Sequence, residues 1–283
     1  MPERIALVTG ATSGIGTETA LGLARAGFRV GLVGRDADRT GRAAARIREA
    51  VPGAVIDGFV ADLASQAEIR RLAAEVRTRY VRLHVLVNNA GAIFDRYAAT
   101  VDGIERTWAL DHLAYLQLSL ELLDLLKASA PARIVSVAST AHRRGRIAFD
   151  DIGHARDYSA ITVYSQAKLG NVLFSAALAR RLAGSGVSSN ALHPGVIASG
   201  FASGTGGWFG FGWGLIRPFL SKPEDGARTS IHLATAPEVE GVTGLYFDRC
   251  KPVAPSSRGR DEALQERVWA FSLKQLGLTE PSR

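Results

Sequence analysis

Short, nearly uninterrupted apolar runs alternate with longer stretches of helical period along most of this chain. RIALVT (4–9), RVGLVG (29–34), AVIDGFV (54–60), HVLVN (84–88), RIVSVA (133–138), VSSNALH (187–193) and GLYFD (244–248) read as strands. Helices are expected from Gly14 to about Ala26, through Glu49, from Ala67 to Tyr80, from about Asp102 to Lys127, and over a segment ending near Leu182. Strands this apolar must be covered on both faces, which is the mark of a parallel sheet with helices on either side. The pattern shows no linker, low-complexity tract or solenoid repeat. It predicts one α/β domain over 1–283, a doubly wound Rossmann fold with a parallel seven-stranded sheet.

Two helical stretches are apolar nearly all round. LGNVLFSAALA (169–179) has no charge on any face, and WALDHLAYLQLSLELLDLL (108–126) has very little. Such helices are buried on every side. One face can meet the sheet. The other meets either a second subunit, in a homodimer or homotetramer, or more of the same chain, and the pattern leaves both open.

Composition narrows the class. The chain has 283 residues, 47% hydrophobic and 22% charged, enough for a full core. Its net charge is +7 with a pI near 9.9, which raises nucleic acid as a partner. The arginines are scattered, however, in groups such as Arg39, Arg42 and Arg46, or Arg143, Arg144 and Arg146, without aromatic interleaving, and are expected on solvated helix faces. A lone Cys250 offers neither an internal disulfide nor a metal cluster. A buried strand begins within a few residues of Met1, so no signal peptide or membrane anchor is expected, and a cytoplasmic location follows.

The first candidate chemistry is TGATSGIG (9–16), placed between a strand and a helix. Gly10, Gly14 and Gly16 let backbone approach a pyrophosphate, with Thr12, Ser13 and Ile15 supplying groups at a helix N-terminus. Asp62 and Leu63 follow the third strand, where a carboxylate can accept from an adenine amino group. Asn89, Ala90 and Gly91 end the fourth. The second strand ends in Gly34-Arg35-Asp36. An arginine there suits a ribose 2′-phosphate and an acid a 2′-hydroxyl, so Arg35 argues for NADP(H) over NAD(H), with Asp36 able to blur the preference.

The second is a tyrosine and a lysine, Tyr164 and Lys168, on one face of an apolar helix in ITVYSQAKLGNVLF (161–174). Alone they would read as a snorkelling pair. Taken with TGATSGIG, NNAG (88–91) and Ser139 after the fifth strand, they make the chain resemble the short-chain dehydrogenase/reductase family over essentially its whole length. A nearby ammonium, together with the positive nicotinamide of an oxidised cofactor, favours a phenolate, so Lys168 and the cofactor are expected to lower the Tyr164 pKa and make it an acid–base group near neutral pH. Ser139 would then hydrogen-bond the same substrate oxygen. The resemblance further implies that Lys168 binds the nicotinamide ribose. It also implies that Pro194, Gly195, Val196, Ile197 and Ser199 of HPGVIASG wrap the carboxamide. The family's asparagine in the long helix is replaced by Asp111, which bears on the proton relay to the lysine.

Within the family, the text between Ser139 and Tyr164 and the tail YFDRCKPVAPSSRGRDEALQERVWAFS resemble the retinol dehydrogenase branch. The resemblance implies a lipophilic carbonyl or alcohol, reduced or oxidised by a ketoreductase-like enzyme. Residues 196–216 carry no charge, and seven glycines lie between Gly200 and Gly214. That density argues against a spanning helix. Phe201, Trp208, Phe209, Phe211 and Trp213 instead suit a lid, over about 196–222, closing on an apolar substrate, with a membrane-touching loop or an ordinary buried connection as the alternatives. Two other functions remain open at this point. One is non-redox chemistry on the same scaffold, an isomerase or cyclase. The other is a non-enzymatic nucleotide sensor, which would not need Ser139, Tyr164 and Lys168 together.

Overall fold

The computed structural model describes residues 3–195 and 222–280. Its strands are β1 (Arg4–Thr9), β2 (Phe28–Gly34), β3 (Ile56–Val60), β4 (Val85–Asn88), β5 (Ala132–Val137), β6 (Val187–His193), β7 (Tyr246–Asp248) and β8 (Lys251–Pro252). They form one sheet in the order β3-β2-β1-β4-β5-β6-β7-β8, parallel except for the last pair. The expected seven strands are all present. The eighth was missed because its two-residue turn, Arg249-Cys250, takes positive φ of 48° and 62° without the glycine or asparagine that normally marks such a hairpin. The Cys250 amide is held by the Thr229 hydroxyl at 3.2 Å.

Alternate residues of each strand feed opposite layers. Ala6 and Val8 of β1 join the core under α1 (Gly14–Arg25) and α2 (Ala37–Ala50). Ile5 and Leu7 join the core under α3 (Gln66–Arg79) and the helices that follow β4 and β5. The long helix expected from Asp102 begins later and is broken. Gly103 has φ +72°, and a turn closes from Thr100 N to Ile104 O at 2.8 Å. The Glu105 carboxylate then accepts from the Thr107 and Trp108 amides at 2.9 and 2.7 Å, capping α4 (Arg106–Trp108). A π turn over Ala109–Leu113 leads into α5 (Ala114–Glu121), and α6 (Leu123–Lys127) follows a break at Leu122.

Two helices stand where the hydrophobic pattern gave no expectation. α8 (Pro223–Thr235) adds Leu233 and Ala234 to the α1 layer. α9 (Glu262–Leu276) lies over α7 (Ala160–Arg181), where Val268 packs on Leu169 and Leu173, and Trp269 and Leu273 join Phe174 and Leu178. The Trp108 indole also donates to Gln275 on α9 at 2.8 Å. The chain's own last helix therefore covers the apolar face of α7 that left a second subunit open. Among the described residues, no helix is long and apolar enough to cross a membrane.

Candidate active site

Strand order reverses between β1 and β4, which opens a crevice at the carboxyl ends of the strands. The glycine turn lies there. Gly10 has φ +64°, and a Cβ on it would stand 2.7 Å from the Ala90 Cα; one on Gly16 would stand 2.3 Å from the Gly10 carbonyl oxygen. Asn89 locks this turn to β4, its side-chain amide donating to the Thr9 carbonyl at 2.8 Å and its backbone amide to the Thr9 hydroxyl at 2.9 Å. The Asn89 side chain thus shapes the cradle, with Ala90 and Gly91 lining it.

The start of α1 suits an anion. α2, α3 and α9 are capped by the side chains of Asp36, Ser65 and Asp261, but Ser13 makes no side-chain cap to α1, and no acid occupies its first turn. Helical N–H groups are left for a phosphate. Beyond β2, Arg35 is exposed, while Asp36 uses its carboxylate to accept from the Arg39 amide at 2.8 Å. Asp62 accepts from the Ala64 amide at 3.0 Å beside buried Leu63. These features together fit a nicotinamide dinucleotide. Pro194 and Gly195 end the described segment next to them. Val196, Ile197, Ser199 and the aromatic residues Phe201, Trp208, Phe209, Phe211 and Trp213 lie outside the described residues.

Tyr164, Lys168 and Asn171 occupy one face of α7, at i, i+4 and i+7. The Ser139 hydroxyl faces the Tyr164 phenol closely enough to favour its ionised form. Ser139 is held at the end of β5 by its carbonyl, which accepts from His142 Nδ1–H at 2.6 Å; His142 Nε2 in turn accepts from the Ser256 amide at 3.1 Å, so the tautomer is set. Lys168 is 2% exposed. Its Nζ donates to the Val137 carbonyl at 3.2 Å, lies 5.5 Å from the Tyr164 ring centre, and meets Asp111 Oδ2 at 3.3 Å. The structure thus brings Ser139, Tyr164, Lys168 and Asp111 together beside the glycine turn.

The expected electrostatics need a correction. Burial and, after it, the Asp111 charge push the Tyr164 phenol above the ordinary tyrosine value, against the opposing pull of the Ser139 hydroxyl. The ammonium expected to lower it has a carboxylate at 3.3 Å, whose charge opposes it. Asp111 itself is pushed up by burial, with Lys168 pulling the other way.

Three residues of the cluster were not singled out from sequence. Asn171 Nδ2 donates to the Asp111 carbonyl at 2.8 Å. His112 Nδ1–H reaches Asn171 Oδ1 at 3.3 Å, and its Nε2 accepts from the Ser272 hydroxyl of α9 at 2.9 Å. His142 holds Ser139. An asparagine three residues after Lys168 on an uncharged face was a readable signal for the first; the two histidines became visible only through contacts distant in sequence.

A scan against family models matches residues 4–207 to the short chain dehydrogenase family. The chain belongs to that family. Mouse retinol dehydrogenase 12 is 38% identical over 278 residues, spanning 98% of this chain and 88% of that protein, and the chain falls in the retinol dehydrogenase-like branch of these oxidoreductases. A crystal structure of an uncharacterised Mycobacterium paratuberculosis protein superposes with a TM-score of 0.79 at 31% identity, covering 99% of this chain and 95% of that one. The Pseudomonas aeruginosa RhlG/NADP active-site complex gives 0.70 at 29% identity, covering 86% and 93%.

In this short-chain dehydrogenase, burial lowers the His112 pKa to about 3. The unfolded chain therefore binds a proton near pH 6.5 that the folded chain refuses. Stability present above that pH is lost as pH falls toward 3. From pH 7 to pH 5 the loss from His112 alone is about 2 kcal/mol, and buried His142 and His193, also lowered, act in the same sense. Urea titrations at the two pH values check this. Equal unfolding free energies would contradict it.

Proposed function

We propose that this short-chain dehydrogenase is an NADP(H)-dependent oxidoreductase that interconverts a ketone or aldehyde and an alcohol on a lipophilic substrate. The observation that carries the reading is the placing of Tyr164 one turn from Lys168 on α7, with Lys168 held to the end of the strand that leads into Ser139. A nicotinamide cofactor, when bound, supplies or accepts the hydride at the substrate carbon. In reduction the carbonyl π pair moves onto oxygen, and that oxygen takes the Tyr164 proton, leaving a tyrosinate. The Ser139 hydroxyl donates to the same oxygen and stabilises its developing charge. Burial of Tyr164, 9% exposed, and Lys168 keeps bulk water from competing for the proton.

The choice of NADP(H) is supported by the two residues after β2. Asp36 is engaged as the cap of α2, so Arg35 is the side chain left to meet a 2′-phosphate. Support for a lipophilic substrate comes from the retinol dehydrogenase relatives and from the aromatic text over 196–222.

The test is oxidation of NADPH and NADH by a panel of lipophilic aldehydes and ketones, for the wild type and Arg35→Ser. Arg35→Ser is expected to lower kcat/KM for NADPH by about tenfold to a hundredfold, the worth of hydrogen bonds to a charged group, and to leave NADH little changed. A wild type that uses both equally would overturn the cofactor preference. A wild type that binds NADPH but passes no hydride to any carbonyl would overturn the oxidoreductase chemistry proposed for it.

A further inference from the structure

Asp111 is a charged group of the cluster whose chemistry the proposed reaction does not use. Its side chain is fully buried and tightly placed. Oδ1 accepts from the Ala92 amide at 2.9 Å. Oδ2 fits against the bare Cα of Gly91, where a Cβ would stand only 2.8 Å away. That oxygen accepts no well-aligned hydrogen bond and meets the Lys168 ammonium as an off-axis ion pair at 3.3 Å. The backbone beneath it is fixed as well, since Asn171 holds the Asp111 carbonyl and His112 holds Asn171. A buried carboxylate clamped from three sides and aimed at a lysine is a built counter-ion site.

We infer that Asp111 is a positioning residue that neutralises Lys168 as its buried counter-ion, so that Tyr164 awaits its substrate as a protonated phenol. The inference rests on the acid–base role proposed for Tyr164. Charge counting carries it. Whichever member of the Asp111–Lys168 pair holds the shared proton, the pair is neutral as a unit. An uncharged residue at 111 would leave one net positive charge about 5.5 Å from the Tyr164 ring, and that charge would favour tyrosinate.

Among the described residues, the other groups facing the pair and Tyr164 do not supply the missing charge; Tyr246 of β7, which faces Tyr164, is a phenol that burial pushes up. Lys168 and Tyr164 come from α7. Tyr115, one turn further along the 111 helix, lies 5.3 Å from Lys168 Nζ, and burial pushes its phenol well above the ordinary value. His112 is held neutral by burial. Glu105 feels Asp111 as a like charge, and its own carboxyl is pushed up chiefly by burial. From the loop after β4 comes only the Ala92 amide. Asp111 is thus the anion paired with Lys168.

The device leaves the reaction equilibrium untouched, as any catalyst must. It changes which protonation state of Tyr164 is present at a given pH. Reduction needs the phenol and fails as pH rises through its pKa, whereas oxidation needs the phenolate and gains over the same range. With Asp111 in place, reductive turnover extends further into alkaline pH.

The experiment is tyrosinate difference absorbance against pH on the full chain without ligands, for the wild type, Asp111→Asn, Asp111→Ser and each combined with Tyr164→Phe. In both uncharged variants a tyrosinate that depends on Tyr164 is expected at least about one pH unit below its position in the wild type. The alkaline limb of reductive turnover should move down by the same amount, while circular dichroism stays unchanged. The inference is overturned if neither variant advances Tyr164 ionisation at any pH where the chain remains folded. It is equally overturned if the wild type, compared with Tyr164→Phe, shows a Tyr164-dependent tyrosinate below the ordinary tyrosine value of about 10, a comparison that needs no Asp111 variant to fold. The titration uses neither substrate nor cofactor, so its failure is separate from failure of the reductase reading.

Discussion

Replacing Tyr164 by phenylalanine is expected to lower carbonyl turnover by about three orders of magnitude, within the range found when a positioned general acid is removed. The substitution deletes one hydroxyl from a side chain that is 9% exposed and leaves its ring packed beneath Lys168. The Ser139 hydroxyl, held in place through its own carbonyl by His142, remains to polarise the substrate oxygen. Loss should therefore fall on kcat, with cofactor affinity close to that of the wild type, because the glycine turn and the start of α1 are untouched. Single-turnover absorbance of NADPH, paired with a cofactor titration by fluorescence, separates the two quantities. A fall in kcat of less than about tenfold would mean that the proton comes from elsewhere.

The second large effect concerns α9. Trp269→Ala is expected to cost about 3–5 kcal/mol of unfolding free energy, the usual range for truncating a buried aromatic residue. Trp269 is 1% exposed and shares a core with Phe174, Leu178 and Leu182. Its indole donates to Glu280 at 2.7 Å, and the Arg181 guanidinium sits 4.2 Å from its ring centre. The damage should also reach the site, since Ser272 on the same helix holds His112, which holds Asn171 beneath Asp111. Chemical denaturation measures the first effect. The same carbonyl assay below the unfolding transition measures the second. A loss under about 1 kcal/mol would show that α9 only rests on α7 instead of completing its core.

Much of the molecule was legible in the chain itself. Nearly continuous apolar strands alternating with stretches of helical period called for the parallel sheet, and seven of its eight strands lie where that pattern puts them. Local spacing also placed the glycine turn between β1 and α1, and set Tyr164 and Lys168 on one face of α7. What escaped was less local. The β7–β8 hairpin turns on Arg249 and Cys250, neither of which announces positive φ. The start of α4 depends on the turn at Gly103 and the Glu105 cap, which precede the apolar run that begins at Trp108 and are not recorded in it.

Residue identity and short-range spacing are written along the chain, and they determined the sheet, the glycine turn and the candidate set of reacting groups. Two matters were decided only when the chain closed on itself. The first is the covering of α7, which belongs to α9 roughly a hundred residues later, because a buried face records that it must be covered and not by what. The second is the charge state presented to substrate. Sequence set a lysine one turn from a tyrosine and implied a lowered pKa; folding buried the tyrosine and set Asp111, 57 positions before Lys168, at 3.3 Å from that lysine, and burial first and the carboxylate second reversed the direction. Interaction between charges follows their separation in space and the dielectric between them, and neither quantity is carried by position along the chain.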